Sequence, residues 1–147
     1  KLIPLTQGKF AIIDDEDFLW LNRWNWSIGA KKYSSRGIRN RKEGWQKRIY
    51  MHKEILKTNR KVDHENRNGL DNRKENLRIA THAENLRNRP APQNNTSGYK
   101  GVSWDVRITV NYTNIFLGRY INIKDAATAY NINALKYFGN FACINII

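Results

Sequence analysis

The sequence predicts an α+β chain built from small antiparallel sheets and short helices. Three observations lead there. Short runs alternate apolar and polar residues, most plainly Val106, Ile108 and Val110 against Arg107, Thr109 and Asn111. Helical stretches are few and bounded by recognisable caps and stops, and stretches rich in Asn, Asp and Gly interrupt the rest. At 147 residues the chain can bury one ordinary core or two small ones. The Pro- and amide-rich segment 90–97 reads as a partly stiff linker between residues 1–89 and 98–147.

Charge narrows the function. Lys and Arg number 26 against 13 Asp and Glu, a net +13 that is spread over the whole chain, and the isoelectric point is about 10.1. Such an excess points to a polyanionic partner, and a solvated basic surface is the plain alternative. The basic residues fall largely in strands and turns, not along one face of an amphipathic helix, which favours nucleic acid over a membrane surface. No apolar run reaches the roughly 20 residues that span a bilayer, and the opening residues lack a signal-peptide core. The single Cys143 excludes internal disulfides and cysteine-based zinc clusters. The expected setting is a reducing cytoplasm, bacterial or phage-infected.

In the N-terminal third, Lys9 to Ile13 read as a strand, and the acidic run Asp14 to Asp17 caps a short helix over Asp15 to Asn22. Phe18, Leu19, Trp20, Leu21, Trp24 and Trp26 form a cluster read as core. Tyr33 to Arg39 and Gln46 to Met51 are two arms of a hairpin. Arg36, Arg39, Arg41, Lys47 and Arg48 project from it as a ribbon able to follow a phosphate backbone. His52 opens a short helix and is read as structural.

The centre of the chain runs strand, loop, strand, helix. Val62-Asp63-His64 ends a strand, and the following residues to Asn72 leave extended structure. Leu77 to Ala80 return, and a helix begins after Thr81, with Glu84 completing a capping box and Pro90 stopping it. Asp63 and the amide of Asn85 are hard oxygen donors suited to Mg²⁺ or Mn²⁺. His64 can take a proton from water near neutral pH. His82 stands as an alternative ligand, three residues before Asn85 on the same helix. Arg73, Arg78, Arg87 and Arg89 are candidates for phosphate contacts or surface ion pairs.

Asp63-His64, Asn76 and Asn85, with Asp71-Asn72-Arg73-Lys74-Glu75-Asn76-Leu77-Arg78 around them, resemble the HNH endonuclease motif in its His-Asn-Asn variant, as found in phage and mobile-intron homing endonucleases. The likeness extends back through Ile49-Tyr50-Met51-His52 and Ile3-Pro4-Leu5-Thr6-Gln7-Gly8. It implies a ββα-metal finger set in a strand-rich N-terminal scaffold. His64 would be the general base, Asp63 and Asn85 the metal ligands, and Asn76 the brace of the loop that orients His64.

Beyond the linker, Gly98 to Trp104, Val106 to Asn111 and Ile115 to Tyr120 read as a three-stranded antiparallel sheet with one packed helix. That helix is capped at Asn122 and stopped at Gly139, with Ala126, Ala127, Ala129 and Ala134 allowing close approach. Tyr99-Lys100-Gly101-Val102-Ser103-Trp104, Phe116-Leu117-Gly118-Arg119-Tyr120 and Asp125-Ala126-Ala127-Thr128-Ala129-Tyr130 resemble the APETALA/ethylene-response-factor DNA-binding domain. By that likeness Lys100, Ser103, Arg107, Thr109, Asn114 and Phe116 face DNA. The first hairpin departs from the family pattern: either strand one ends by Val102 and Ser103 to Val106 turn, or a loop is missing.

The combined reading is a metal-dependent endonuclease acting on double-stranded DNA, of homing or restriction type, with catalytic His64 and Asn76, metal ligands Asp63 and Asn85, and DNA-binding Arg36, Arg39, Arg48, Arg73, Arg78, Arg89 and the C-terminal sheet. Cleavage would leave 5′-phosphate and 3′-hydroxyl ends. A monomer would nick, and a homodimer could cut both strands. The rivals are a DNA-binding regulator that does not cut, and an RNA-directed protein.

Overall fold

The computed structural model describes residues 1–29 and 32–147, apart from the side chain of Trp45. It is mixed α and β, with small antiparallel sheets and few helices, and it divides into two compact units, Lys1–His82 and Ala83–Ile147.

In the first unit, β1 (Leu2–Pro4) pairs with β2 (Phe10–Ile12) around a tight turn at Thr6–Gly8. The acidic run forms a 3-10 turn, Asp15–Asp17, that passes into the single-turn helix α1 (Phe18–Leu21). A three-stranded sheet follows in the order β3 (Ser27–Ile28), β4 (Ser34–Asn40), β5 (Trp45–Tyr50), and β5 runs directly into α2 (Met51–Ile55). The hairpin β6 (Val62–His64) and β7 (Leu77–Ile79) completes the unit. Its core gathers Ile3, Leu5, Ala11, Ile13, Leu21, Trp26, Met51, Ile55, Val62 and Leu77. Each of the larger side chains, fully buried, contributes roughly 1.5–3 kcal/mol of transfer free energy. The aromatic cluster divides: Trp26 and Leu21 are buried, whereas Leu19 and Trp24 are exposed.

Two cross-links hold β6–β7 to the rest of the unit. Ile12 N–H donates to Leu70 O at 2.8 Å and Asn72 N–H to Ile12 O at 2.7 Å, so β2 grips the loop that follows His64. Lys74 N–H donates to Asp14 Oδ2 at 2.8 Å, and the Lys74 ammonium pairs with Glu16. The acidic run therefore anchors the far end of that loop as well as starting a helix.

The helix α3 (His82–Arg87) starts where the capping pattern predicts. It spans the division between the units, so the observed boundary, after His82, precedes the 90–97 segment. That segment belongs to the second unit. Asn95 Nδ2 and Ser97 Oγ both donate to Tyr99 O at 3.0 Å, which folds it back in turns instead of leaving it extended.

The second unit holds β8 (Asp105–Val110), β9 (Thr113–Arg119) and α4 (Ile123–Phe138). Asn122 caps α4, accepting from Lys124 N–H at 2.8 Å, and Gly139 ends it. Val106 and Ile108 pack on Ala126, Ala127, Tyr130 and Ala134. The sheet corrects the three-stranded expectation: it has two strands, and Gly98 to Trp104 forms no strand. Gly98 and Gly101 adopt φ of 75° and 68°, which turns the chain out of extended structure. A Cβ at Gly101 would lie 2.3 Å from Tyr130 Cε2. The backbone of Lys100 finds its partner in an amide side chain: its N–H donates to Asn145 Oδ1 at 2.6 Å and Asn145 Nδ2 donates to its carbonyl at 3.3 Å.

Candidate active site and nucleic-acid surfaces

His64 closes β6 opposite Leu77, one residue after the Asp63–Arg78 pair. The loop from 65 to 76 is bound into a small cage. Glu65 N–H donates to Asn76 O, and Asn66 N–H to Asn76 Oδ1, both at 2.9 Å. Asn76 Nδ2 donates to Asp71 O at 2.7 Å, and Asn66 Nδ2 to Asp71 Oδ2 at 2.8 Å. Arg73 then closes on Asp71 through Nε at 2.9 Å and Nη2 at 2.7 Å. Hydrogen bonds from this guanidinium hold the Asp71 carboxyl below the usual carboxylate range. Asn76 thus ties both ends of the loop that carries His64.

Four rings make up the cluster around that histidine. Tyr33 stacks on His64 with centroids 5.4 Å apart, and His52 meets it edge-on at 5.1 Å. Tyr50 stacks on His52 at 5.5 Å, and Tyr33 meets His52 edge-on at 5.3 Å. Burial lowers the pKa of His64, with the Asn72 amide and the Asp63 and Asp71 carboxylates opposing the shift. His52 is pushed down to about 3 by burial first and by the neighbouring His64 second. Two imidazoles this close disfavour a second charge, and the pair rests neutral at pH 7. The contact between His52 and His64 has no signal in the sequence, because strand β5 and helix α2 bring His52 there from a different sheet.

Asp63 is buried and paired. Arg78 Nε and Nη2 both lie 2.8 Å from its Oδ2. Arg78, expected on phosphate, is thereby a partner of Asp63, and a weaker contact joins it to Glu65 at 3.9 Å. Arg73 is likewise engaged, with Asp71 and Glu75. Asn85 sits on α3 in the second unit, half-buried, and His82 is exposed at the helix start. The donors expected for a divalent cation, one carboxylate and one amide oxygen, are the hard kind that Mg²⁺ or Mn²⁺ takes while keeping several waters. These two donors suit the ion in kind only: Asp63 is already bonded by Arg78, and among the described residues no group of three or more His, Cys, Asp or Glu is placed to hold a metal.

The basic ribbon divides by face. Cross-strand pairs Gly37–Arg48 and Arg39–Gln46 alternate with Arg36–Ile49 and Ile38–Lys47. Arg39 and Arg48 are exposed on one side, continuous with the Ser35–Tyr50 pair and so with the ring cluster. Arg36 does not project. Its guanidinium lies 4.1 Å from the Trp24 ring and 3.5 Å from Glu54, because the other face of β4 packs on the tryptophans.

In the second unit Arg107 pairs with Phe116 and Thr109 with Asn114 across the hairpin. All four are exposed on the side opposite Val106 and Ile108. Arg107 lies 5.7 Å over the Phe116 ring, and Thr109 Oγ1 bonds Asn114 Oδ1 at 2.5 Å. Lys100 and Ser103 do not join them. Without a first strand, Lys100 Nζ donates to the carbonyls of Arg87 and Arg89 at 2.6 Å, and Ser103 Oγ donates to Asp105 O at 2.8 Å. Arg89 is exposed beyond the end of α3.

No protein-family model, curated protein or solved structure matches this chain.

Proposed function

We propose that this chain is an HNH-type endonuclease that hydrolyses phosphodiester bonds of double-stranded DNA with a divalent cation. The observation that carries the reading is the placement of His64 at the end of β6, stacked by Tyr33 at 5.4 Å and followed by a loop that Asn76 braces. A general base has to be unprotonated and oriented before water arrives; burial, which lowers the pKa of His64, and the Tyr33 stack support that role. His64 takes a proton from water, the water oxygen forms a bond to phosphorus, the bond from phosphorus to O3′ breaks, and the O3′ oxyanion takes a proton from solvent. The products are a 5′-phosphate and a 3′-hydroxyl. Asp63 would be one oxygen ligand of the cation, which when bound polarises the phosphate and stabilises the leaving oxygen; Asn85, the other ligand the HNH likeness implies, belongs to the second unit. Arg39, Arg48 and Arg89 would contact phosphates, while Arg107, Thr109, Asn114 and Phe116 would meet DNA from the second unit.

Burial sets a condition on this mechanism. His64 is only 4% exposed, so DNA binding has to open a path for one water to the ring. The same burial, with Asp63 held by Arg78, favours a second reading in which the chain binds DNA without cutting it. Supercoiled plasmid incubated with and without Mg²⁺ or Mn²⁺ separates the two. Nicking or linearisation with metal, lost by about 10²- to 10⁴-fold in His64→Ala at nearly unchanged DNA affinity, is the expected result. Intact plasmid under every metal condition, with binding retained, selects the second reading.

A further inference from the structure

A groove of about 640 Å³ is lined in part by Tyr33, a member of the ring cluster. Its cations come from three separate stretches: Lys9 from the N-terminal hairpin, Lys32 before β4, and Arg67 from the loop after His64. Gln7 and Asn68 add amides to the wall. None of these basic residues stands out in the sequence patterns, because none of them is close to another in the chain.

The backbone around this groove is unusual. Gln7, Lys32 and Arg67 take φ of 64°, 59° and 64°, half of the non-glycine residues with positive φ among those described. Each left-handed non-glycine residue costs roughly 1–2 kcal/mol, and such residues collect where function holds them. All three line one groove. The turn at Arg67 is locked to the candidate base itself, since Arg67 N–H donates to His64 O at 2.9 Å. Tyr33 joins the two features: one face stacks on His64, and its edge packs so closely on Gly69 that a Cβ there would lie 2.6 Å from Tyr33 Cδ1.

We infer that this groove is a phosphate-binding subsite for duplex DNA, in which Lys9, Lys32 and Arg67 take the backbone phosphates that flank the one presented to His64. Three converging cations in a concave site suit a polyanion with regularly spaced charges. The short route from the groove through Tyr33 and the Arg67 turn to His64 lets phosphate binding fix the position of the strand at the base. This rests on the nuclease reading for the identity of the polyanion and for what is presented to His64.

The test measures binding of the full chain to a short fluorescein-labelled duplex in EDTA, where no cleavage enters, across a range of salt. The triple variant Lys9→Gln, Lys32→Asn, Arg67→Asn is compared with a control that removes three exposed cations elsewhere, Arg23→Gln, Arg60→Gln, Lys61→Gln. Asparagine is used at the two left-handed positions because it tolerates positive φ. Each lost phosphate contact lowers the slope of log affinity against log salt by about 0.9. The groove triple is expected to lose about two to three in slope and roughly 10- to 100-fold in affinity, with the control changing less than about threefold. Should the triple melt early, the three single variants are measured, each expected to lose about 0.9 in slope. Equal effects from groove and control variants overturn the subsite and leave the nuclease reading standing. A wild-type chain with no salt-sensitive duplex binding overturns both, and preferential displacement of the duplex by a structured RNA overturns the assignment to DNA.

Discussion

At the scale of single residues, the ring cluster makes His52 the most pH-sensitive group in the first unit. Its folded pKa, about 3, lies below its unfolded value of 6.5. The unfolded chain therefore binds a proton that the folded chain refuses, and stability is full above pH 6.5 and falls as pH drops below it. Between pH 6.5 and 5 the loss from this group is on the order of 1–2 kcal/mol. Urea denaturation at pH 7.5 and 5 should show that loss in the wild type and a smaller one in His52→Phe, which keeps a ring in place and leaves the contribution of His64, whose pKa burial also lowers. The carboxylate Asp71, shifted down from 3.8, titrates below this window. Gly69 is the other informative residue. Alanine there meets Tyr33 Cδ1 at 2.6 Å and Lys32 O at 2.8 Å, and overpacking of this kind costs about 1–3 kcal/mol. Gly69→Ala should lower the urea midpoint and slow plasmid cleavage together, because the ring that orients His64 is displaced; an unchanged rate would show that Tyr33 does not set the geometry of His64.

At the scale of elements, the stretch from Tyr99 to Trp104 shows how a strand pattern can be overruled. Glycines at 98 and 101 and the Tyr130 ring beneath Gly101 prevent extension, and the Asn145 amide takes up the backbone groups a neighbouring strand would have paired. Asn145 also exchanges two hydrogen bonds with Asn131 of α4, at 2.7 and 2.9 Å. Its removal in Asn145→Ala should destabilise the second unit by about 1–3 kcal/mol, and hydrogen exchange should report a faster Lys100 amide. The Lys100 side chain also holds this region together. Its ammonium satisfies carbonyls at and beyond the end of α3, as basic side chains often do at helix C-termini. Lys100→Ala is therefore expected to reduce stability while leaving the salt slope of DNA binding nearly unchanged.

At the scale of the whole molecule, a net charge of +13 predicts DNA affinity that falls steeply with salt in either functional reading. Metal removal separates binding from chemistry: EDTA should abolish cleavage and leave duplex affinity, measured by fluorescence anisotropy, within a few-fold of its value with Mg²⁺. An equal loss of both would mean that the cation supports the fold or the interface rather than the reaction. Among the described residues no helix is long and apolar enough to cross a membrane, in keeping with the short apolar runs of the sequence.

Local patterns were legible wherever neighbours in the chain settle the outcome. The start of α3, the Asn122 cap and the Gly139 stop all follow from residues within a turn or two of each other. The alternation of Val106 and Ile108 with Arg107 and Thr109 likewise marks the two faces of β8. What lay beyond reach was every contact made across the fold: His52 against His64, Arg36 against Trp24, Arg78 against Asp63, and Asn145 in the place of a strand. Side-chain type and spacing specify local backbone preference, because those energies act between near neighbours. Whether an arginine meets a phosphate, a tryptophan or a carboxylate depends on which distant surface packing brings beside it, and no local rule contains that distance.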